Sequence, residues 1–180
     1  GKIYRFIGKL KIKNKKNFTY NLVKKSINKL KMKDLKNKNL LTDKVAQEAA
    51  IISKDKKIRK LVHNFQIECA YNPPKNYNGS CLDGRDITYK IIPDADFKFY
   101  ITASLKTRAQ RRFKELKRLD NSVKLRDVIK SVKNRDKSDK NRNISKLKKT
   151  KDSILINTTN LTKKACFLKI KNIMDRKIYN

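Results

Sequence analysis

Apolar residues in the first half of the chain recur three and four positions apart, which is the spacing of one face of an α-helix. This pattern predicts helices over residues 2–10, 43–53 and 56–70. Residues 11–41 are rich in Lys and Asn with scattered Leu, Ile and Val, which indicates a helix plus an irregular connection. Residues 72–79 contain two prolines and a glycine and are predicted to form a loop.

The second half of the chain alternates short apolar runs with longer amphipathic stretches. The short runs predict three strands, at residues 80–82, 97–101 and 153–156. The amphipathic stretches predict three helices, at residues 105–119, 124–138 and 161–174. Strands separated by helices predict an α/β fold with a parallel sheet. Ligands bind beyond the carboxyl ends of such strands, so residues 83–86 and 102–104 are expected to border a ligand site.

The charge balance is strongly basic, with a formal net charge of +33 at pH 7. Such a charge suggests a nucleic-acid binder, because Lys and Arg neutralise phosphates and release counterions. The excess, however, consists of 38 Lys against 11 Arg in a chain that also has 18 Asn and many Ile. Lys, Asn and Ile share AT-rich codons. We therefore favour a drift in base composition over selection for polyanion binding.

Each Arg is informative in a chain that uses Lys wherever a positive charge suffices. Arg presents a planar fork that grips phosphate or carboxylate with two hydrogen bonds, whereas Lys is a point charge. No Arg occurs in residues 8–58, where Lys is densest. The eleven are Arg5, Arg59, Arg85, Arg108, Arg111, Arg112, Arg118, Arg126, Arg135, Arg142 and Arg176.

Two stretches place charged residues on one helical face. Arg108 and Arg112 are four residues apart, so their side chains are predicted to point the same way. Arg135, Asp139 and Arg142 lie at offsets of zero, four and seven and form a stripe that alternates in sign. A carboxylate held between two guanidiniums can accept hydroxyl hydrogen bonds while the guanidiniums meet phosphate oxygens. For Arg108 and Arg112 the alternative is a solvated basic face, and for Arg85–Asp86 it is a tight turn with a surface ion pair worth about 0–1 kcal/mol.

Length and residue usage narrow the class of protein. The 180 residues fit one domain with a substantial core. No stretch approaches the roughly 20 apolar residues that span a bilayer, and no signal peptide is recognisable. Cys69, Cys81 and Cys166 are odd in number and lack C-x-x-C spacing, and His63 has no metal-ligating neighbour at suitable spacing. We expect a cytoplasmic protein with no membrane partner and no protein-bound metal.

Several short motifs follow one another in order across residues 80–162. They are Leu82-Asp83-Gly84-Arg85-Asp86-Ile87, Pro93-Asp94-Ala95-Asp96, Thr102-Ala103-Ser104, Arg108-Ala109-Gln110-Arg111-Arg112, Arg135-Asp136 with Asp139 and Arg142, and Asn157-Thr158-Thr159 with Leu161. Their joint order and spacing resemble the bacterial cytidylate kinases. Residues 1–5 are similar to that family's TG-x-x-YR element, and residues 42–59 match its CMP-binding segment more loosely.

The resemblance implies an architecture. It is the fold of the P-loop nucleoside monophosphate kinases, an α/β fold whose parallel sheet is flanked by helices. Residues 1–180 would form a single kinase-like domain, with a CMP-binding insert at about 11–75 and a short lid at about 130–146.

The resemblance also implies which residues bind CMP. By their positions in the motifs, Tyr4, Arg5 and Arg85 would lie near the CMP phosphate. Arg59 and Asp86 would take part in selecting cytosine.

Further residues are implied on the ribose and ATP sides. Asp139 with Arg135 would hold the ribose hydroxyls, and Arg142 would sit between CMP and the ATP phosphates, so that Arg135 and Arg142 are the candidate catalytic residues. Arg108 and Arg112 would face ATP from the lid side. This assignment places most of the arginines at nucleotide-binding positions.

The sequence also departs from the family pattern. The G-x-x-x-x-G-K-S/T loop that cradles ATP phosphates does not occur in residues 1–180. The family carries that loop just upstream of the TG-x-x-YR element, so we expect the chain to be truncated at its amino terminus. We also expect the sequence as written to have little activity. The residues that differ from the family are Leu41 for Arg, Ala50 for Ser, Ser138 for Arg and Lys146 for Pro.

The function implied by the resemblance is phosphoryl transfer from ATP to CMP or dCMP, with Mg²⁺, giving CDP or dCDP. The enzyme is expected to be a monomer that needs no nucleic acid. Two alternatives stay open at this point. One is a small basic RNA-binding protein, and the other is a remnant that binds CMP without turnover.

Overall fold

The structure is a computed structural model that describes residues 1–141 and 144–179. The chain divides into two compact units, an amino-terminal unit (Gly1–Ile87) and a carboxy-terminal unit (Thr88–Asn180).

The amino-terminal unit is helical. Its α-helices are α1 (Lys2–Lys13), α2 (Tyr20–Asn28), α3 (Asp43–Ile52) and α4 (Lys56–Tyr71), with short 3-10 turns at Lys15–Asn17, Asp34–Lys36 and Lys38–Leu41. A side-chain oxygen just before α2, α3 and α4 accepts a hydrogen bond from an amide of the first turn; these N-caps are Thr19, Thr42 and Asp55. Each cap satisfies a backbone donor that has no intrahelical partner, and it fixes where the helix begins.

The core of this unit lies between the four helices. Six apolar side chains are almost fully buried together: Ile7, Val23, Ile27, Ile52, Ile58 and Val62. They recur at helical spacing, so that each helix contributes one apolar face. α1 packs closely on α3, where Gly8 faces the backbone of Val45 and Ala49. This close crossing fixes the start of α1, which carries two of the predicted site residues.

The carboxy-terminal unit combines a small sheet with three helices. After a π-helical turn at Ile87–Ile91, its elements are β1 (Phe99–Thr102), α5 (Leu105–Lys117), α6 (Leu125–Asn141), β2 (Ile154–Asn157) and α7 (Lys163–Ile178). β1 and β2 pair in parallel, from Phe99 opposite Ile154 to Thr102 opposite Asn157. Parallel strands require a crossover connection, which α5 and α6 supply. The predicted α/β class with a parallel sheet is therefore confirmed.

The two strands are tied together at both ends. At their amino ends, the amide of Ile154 donates to the carbonyl oxygen of Lys98 (2.8 Å), and the ammonium of Lys98 pairs with the carboxylate of Asp152. At their carboxyl ends, the amide and the hydroxyl of Thr158 both donate to the carbonyl oxygen of Thr102, at 2.7 and 3.0 Å. The segments that follow β1 and β2 therefore lie side by side at the carboxyl end of the sheet.

The helices predicted from apolar spacing are all present, with ends that shift by a few residues. The strands predicted at 97–101 and 153–156 are β1 and β2. The strand predicted at 80–82 is wrong, because these residues form irregular chain. A strand requires a hydrogen-bonded partner, and the described residues provide none there. Instead the Ser80 hydroxyl donates to the carbonyl oxygen of Ala70 at the end of α4 (2.8 Å).

The crossing of α1 and α3 predicts an effect of adding one methyl group at Gly8. A Cβ there would lie 3.0 Å from the Ala49 nitrogen and 3.0 Å from the Val45 carbonyl oxygen, and both are backbone atoms that cannot turn aside. Overpacking of this kind costs about 1–3 kcal/mol, more than the gain of up to about 1 kcal/mol from the helix propensity of Ala. We expect Gly8→Ala to lower the free energy of unfolding in urea by about 1 kcal/mol.

Gly79→Ala is the matched control, because a Cβ at Gly79 meets nothing within 4 Å. An effect of the same size in the control, or no loss in Gly8→Ala, would contradict the close-packing explanation.

The Lys98–Asp152 pair predicts a pH dependence. Hydrogen bonds from Lys98 and then Thr150 lower the pKa of Asp152 from 3.8 to about 2. Because the folded pKa is the lower one, the pair stabilises the fold above about pH 4, and that contribution disappears as the pH falls to about 2. We expect Asp152→Asn to melt at a lower temperature than the wild type at neutral pH, with the gap closing between about pH 4 and pH 2. A gap that stays constant down to pH 2 would be the contrary result.

Candidate functional site

The start of α1 holds two of the predicted site residues in the amino-terminal unit. Tyr4 is half-buried and packs against the apolar core, so its ring is fixed by that core. Arg5 is half-buried as well, and its Nη1 donates to the carbonyl oxygen of Leu40 (2.7 Å) in the turn before α3. The guanidinium is therefore held against the surface of the unit rather than extended into solvent.

A charged pair joins α4 to the segment that follows the 72–79 loop. Arg59 Nη2 lies 3.6 Å from Asp86 Oδ2, and the two side chains are only 16% and 17% exposed. Arg59 Nη1 also donates to the carbonyl oxygen of Ser53 in the turn before α4 (2.9 Å). Arg85, next to Asp86, is half-buried too.

This pair presents donors and an acceptor side by side. A carboxylate accepts hydrogen bonds only, and a guanidinium donates them only. A planar polar group that carries one donor and one acceptor on the same edge can therefore bind to both. The partial burial of Arg59 and Asp86 makes such contacts more selective than they would be in open solvent.

α6 carries the predicted alternating stripe of the carboxy-terminal unit. Arg135 Nε lies 3.9 Å from Asp139 Oδ2, at the i, i+4 spacing of one helical face. The Arg135 side chain is 56% exposed, whereas that of Asp139 is 13% exposed. Arg142, the third member of the stripe, lies outside the described residues. The two described members thus form a loose ion pair in which a sheltered carboxylate stands beside an accessible guanidinium.

α5 carries the other predicted arginines, each next to a carboxylate. Arg108 binds both oxygens of Asp136 on α6, with Nη1 to Oδ1 and Nη2 to Oδ2 each at 2.7 Å. Its Nε donates to the carbonyl oxygen of Ala103 (2.9 Å), just after β1. Arg112 Nη1 donates to Glu115 one turn further along α5 (2.6 Å). The pairing of Arg108 with Asp136 was not predicted.

Arg111 is a second residue whose role the sequence analysis missed. Its guanidinium donates to the Thr158 hydroxyl (3.1 Å) and to the carbonyl oxygens of Thr158 (2.6 Å) and Leu161 (3.0 Å). The donors lie on two nitrogens that are fixed in one plane, a geometry that the single nitrogen of Lys cannot reproduce. The relevant signal was the presence of Arg itself, while its partners are 47 and 50 positions away in the sequence.

Neither a metal centre nor a membrane span is found in the part of the chain that the structure describes. Within residues 1–141 and 144–179, no three His, Cys, Asp or Glu side chains cluster closely enough to hold a metal ion. None of the described helices is both long and apolar enough to cross a bilayer.

The sequence is similar to those of proteins of one known family. A family model described as Cytidylate kinase matches residues 2–176. The chain is 38% identical over 141 residues to a cytidylate kinase of Mesomycoplasma hyopneumoniae (strain 7448), an alignment that covers 78% of this chain and 60% of that protein. It is 37% identical over 137 residues to a cytidylate kinase of Clostridium botulinum (strain Okra / Type B1), with 76% of this chain and 59% of the relative covered. The chain therefore spans about three fifths of the length of these curated relatives.

Proposed function

Because the chain belongs to the cytidylate kinase family, we propose that the protein transfers the γ-phosphoryl group of ATP to CMP or dCMP and releases CDP or dCDP. The observation that carries this proposal is the Arg59–Asp86 pair. It brings together two residues that lie far apart in the sequence and that match the family's cytosine-side positions. The family match also favours a kinase over the RNA-binding alternative.

Selection of cytosine follows from the chemistry of that pair. The cytosine ring carries an amino donor beside ring acceptors, so Asp86 accepts from the amino group while Arg59 donates to an acceptor. Uracil has a carbonyl oxygen in place of the amino group and would set that oxygen against the carboxylate. A buried polar group left without its partner costs about 1–3 kcal/mol, which corresponds to roughly tenfold or more in affinity.

The CMP phosphate is assigned to Tyr4, Arg5 and Arg85. The assignment is supported by their match to family motifs and by the half-buried position of all three side chains. Guanidiniums grip phosphate with two hydrogen bonds at once, and a phenol hydroxyl can donate one more.

The ribose and the transferred group are assigned to α6. The sheltered carboxylate of Asp139 can accept hydrogen bonds from ribose hydroxyls, with Arg135 beside it at 3.9 Å. Phosphoryl transfer needs mainly positioning and neutralisation of charge on the phosphoryl oxygens, which Arg135 and Arg142 would supply.

The ATP side is assigned to Arg108 and Arg112. A guanidinium has five N–H donors, and the contacts of Arg108 with Asp136 and Ala103 use three of them. The remaining two can meet a phosphate without breaking the pair. Mg²⁺ enters with ATP as part of the substrate. The described residues form no metal-ligating cluster, so no step is assigned to the ion through them.

The cellular setting follows from the proposed reaction. Phosphorylation of CMP belongs to pyrimidine nucleotide metabolism, and we assign it to the cytoplasm and to a monomer that needs no nucleic acid. The three cysteines are free thiols in the structure, which fits a reducing compartment.

The first test of this function is calorimetric binding of CMP, dCMP, UMP, AMP and GMP. We expect CMP and dCMP to bind at least about tenfold more tightly than UMP, because Asp86 pairs with the amino group that UMP lacks. Asp86→Ala should abolish that preference, whereas Asp83→Ala, at an exposed neighbouring carboxylate, should keep it. Equal affinity for all five monophosphates would contradict the base-selection proposal.

The second test addresses turnover through Arg135. Arg135→Lys keeps the charge but loses the fork, and we expect turnover to fall at least about tenfold, or roughly 1.4 kcal/mol of barrier. Turnover is measured as ADP release with CMP as acceptor, in a protein that carries a G-x-x-x-x-G-K-S/T loop ahead of residue 1.

Arg126→Lys is the matched control for that test. It lies on the same helix and pairs with Asp127 at 3.8 Å, with 78% of its side chain exposed. Wild-type turnover in Arg135→Lys would mean that charge alone suffices at this position. If the loop-bearing protein with Arg135 unchanged binds CMP but shows no turnover, the alternative of a CMP-binding remnant is favoured.

A further inference from the structure

Asp136 is a carboxylate on α6 to which the proposed function gives no task. Both of its oxygens are bound by Arg108, at 2.7 Å each, and the two residues are 28 positions apart in the sequence. The same guanidinium is anchored by its Nε to the carbonyl oxygen of Ala103, which follows β1. Asp136 is therefore linked through one side chain to the carboxyl end of the sheet.

The Arg108–Asp136 pair adds a polar contact to the packing between α5 and α6. The loop at 118–124 joins the end of α5 to the start of α6, so the two helices run antiparallel. Leu116 and Val128 are the buried apolar residues near that loop. Arg108 lies eight positions before Leu116, and Asp136 lies eight positions after Val128, which is about two turns along each helix. The two buried apolar residues thus lie near one end of the helix pair, and the Arg108–Asp136 pair lies near the other.

The end that holds the ion pair is the end of α6 that bears the proposed ribose contacts. Arg135 precedes Asp136 directly, and Asp139 follows it by three residues, a rise of about 4.5 Å. Two parallel N–H···O bonds fix the relative rotation of their partners as well as their distance. A single point contact would leave this end of the helix free to turn.

We propose that Asp136 is a positioning residue: through its bidentate pair with Arg108 it holds α6 in the orientation that presents Arg135 and Asp139 to the nucleotide. This inference rests on the proposed function for what Arg135 and Asp139 bind. Its distinctive consequence is that a change at Asp136 alters CMP binding without any contact between Asp136 and CMP.

The alternative is an ordinary surface ion pair that contributes only to stability. Both side chains are partly exposed, at 35% and 37%, so exposure alone does not decide between the two explanations. A stability role would lower the melting temperature and leave the affinity of the folded protein for CMP unchanged. A positioning role changes that affinity.

The experiment measures the dissociation constant of CMP by calorimetry, without ATP, in the full chain and its variants. Asp136→Asn keeps the size of the side chain but removes its charge and one of its two acceptors. We expect it to weaken CMP binding about tenfold, less than the roughly hundredfold that a misplacement of 1 Å can cost. Asp136→Glu keeps the carboxylate and should retain binding to within about threefold. Asp127→Asn is the control for removing an exposed carboxylate from the same helix.

Arg108→Lys provides a second, independent test. Arg108 is assigned to ATP and not to CMP, so a loss of CMP affinity in this variant must act through α6. We expect a loss similar to that of Asp136→Asn, and no further loss in the double variant, because the two residues act as one unit. If Asp136→Asn fails to fold, Arg108→Lys, which keeps the positive charge beside Asp136, decides the matter. Unchanged CMP affinity in folded Asp136→Asn or Arg108→Lys would overturn the proposal.

Failure of the proposed function would be recognised separately. If the wild type binds no CMP, the proposed function is contradicted, and the orientation of α6 is tested by amide hydrogen exchange instead. We expect the amides of residues 135–141 to exchange faster in Asp136→Asn than in Asp127→Asn, because loss of the pair frees that end of the helix. Equal exchange in the two variants would overturn the positioning role.

Discussion

The carboxy-terminal unit depends on guanidinium groups of α5 that bind the chain where both strands end. Arg108 donates to Ala103 after β1, and Arg111 donates to Thr158 and Leu161 after β2. The carbonyl oxygens of Ala103, Thr158 and Leu161 follow the two strands and lie outside their ladder. The two arginines supply donors at that edge. They fix α5 against the sheet, and α6 is then fixed to α5 by Asp136. The segments that follow strands, where α/β proteins place their ligands, are therefore held by side chains of a neighbouring helix.

Much of the fold could be predicted from the sequence because an α-helix depends on residues that are close together in the sequence. Apolar spacing predicted α1, α3, α4, α5, α6 and α7 to within a few residues of their ends. The strand predicted at 80–82 failed for the opposite reason, since a strand depends on a partner that local sequence does not reveal. The spacing of residues along the chain likewise could not predict the ion pairs Arg59–Asp86 and Arg108–Asp136. The order of the motifs identified Arg59 and Asp86 as candidate site residues. No motif or spacing in the sequence linked Asp136 to Arg108.

Some arginines of this chain have a role that Lys could not fill, and others do not. Arg108 and Arg111 each use the fork in a way that a Lys ammonium could not reproduce. Arg126, in contrast, forms an exposed pair with Asp127 at 3.8 Å. Lys98 is an exception in the other direction, because its side chain is only 11% exposed and its ammonium closes the amino end of the sheet. Retention of Arg in a Lys-rich chain therefore selects candidates, and the contacts show that Arg108 and Arg111 are among those that hold the fold.

Two of the ion pairs on α6 differ in how closely their charged groups approach. The Arg108–Asp136 pair has two bonds of 2.7 Å, and opening it would leave a carboxylate and a guanidinium without their partners. The Arg135–Asp139 pair is loose, at 3.9 Å, with most of the Arg135 side chain in solvent. At that distance Nε and Oδ2 attract each other as charges but do not form a hydrogen bond. α6 therefore has one tight contact with α5 at Asp136 and, one residue before it, an arginine whose side chain is more than half exposed to solvent.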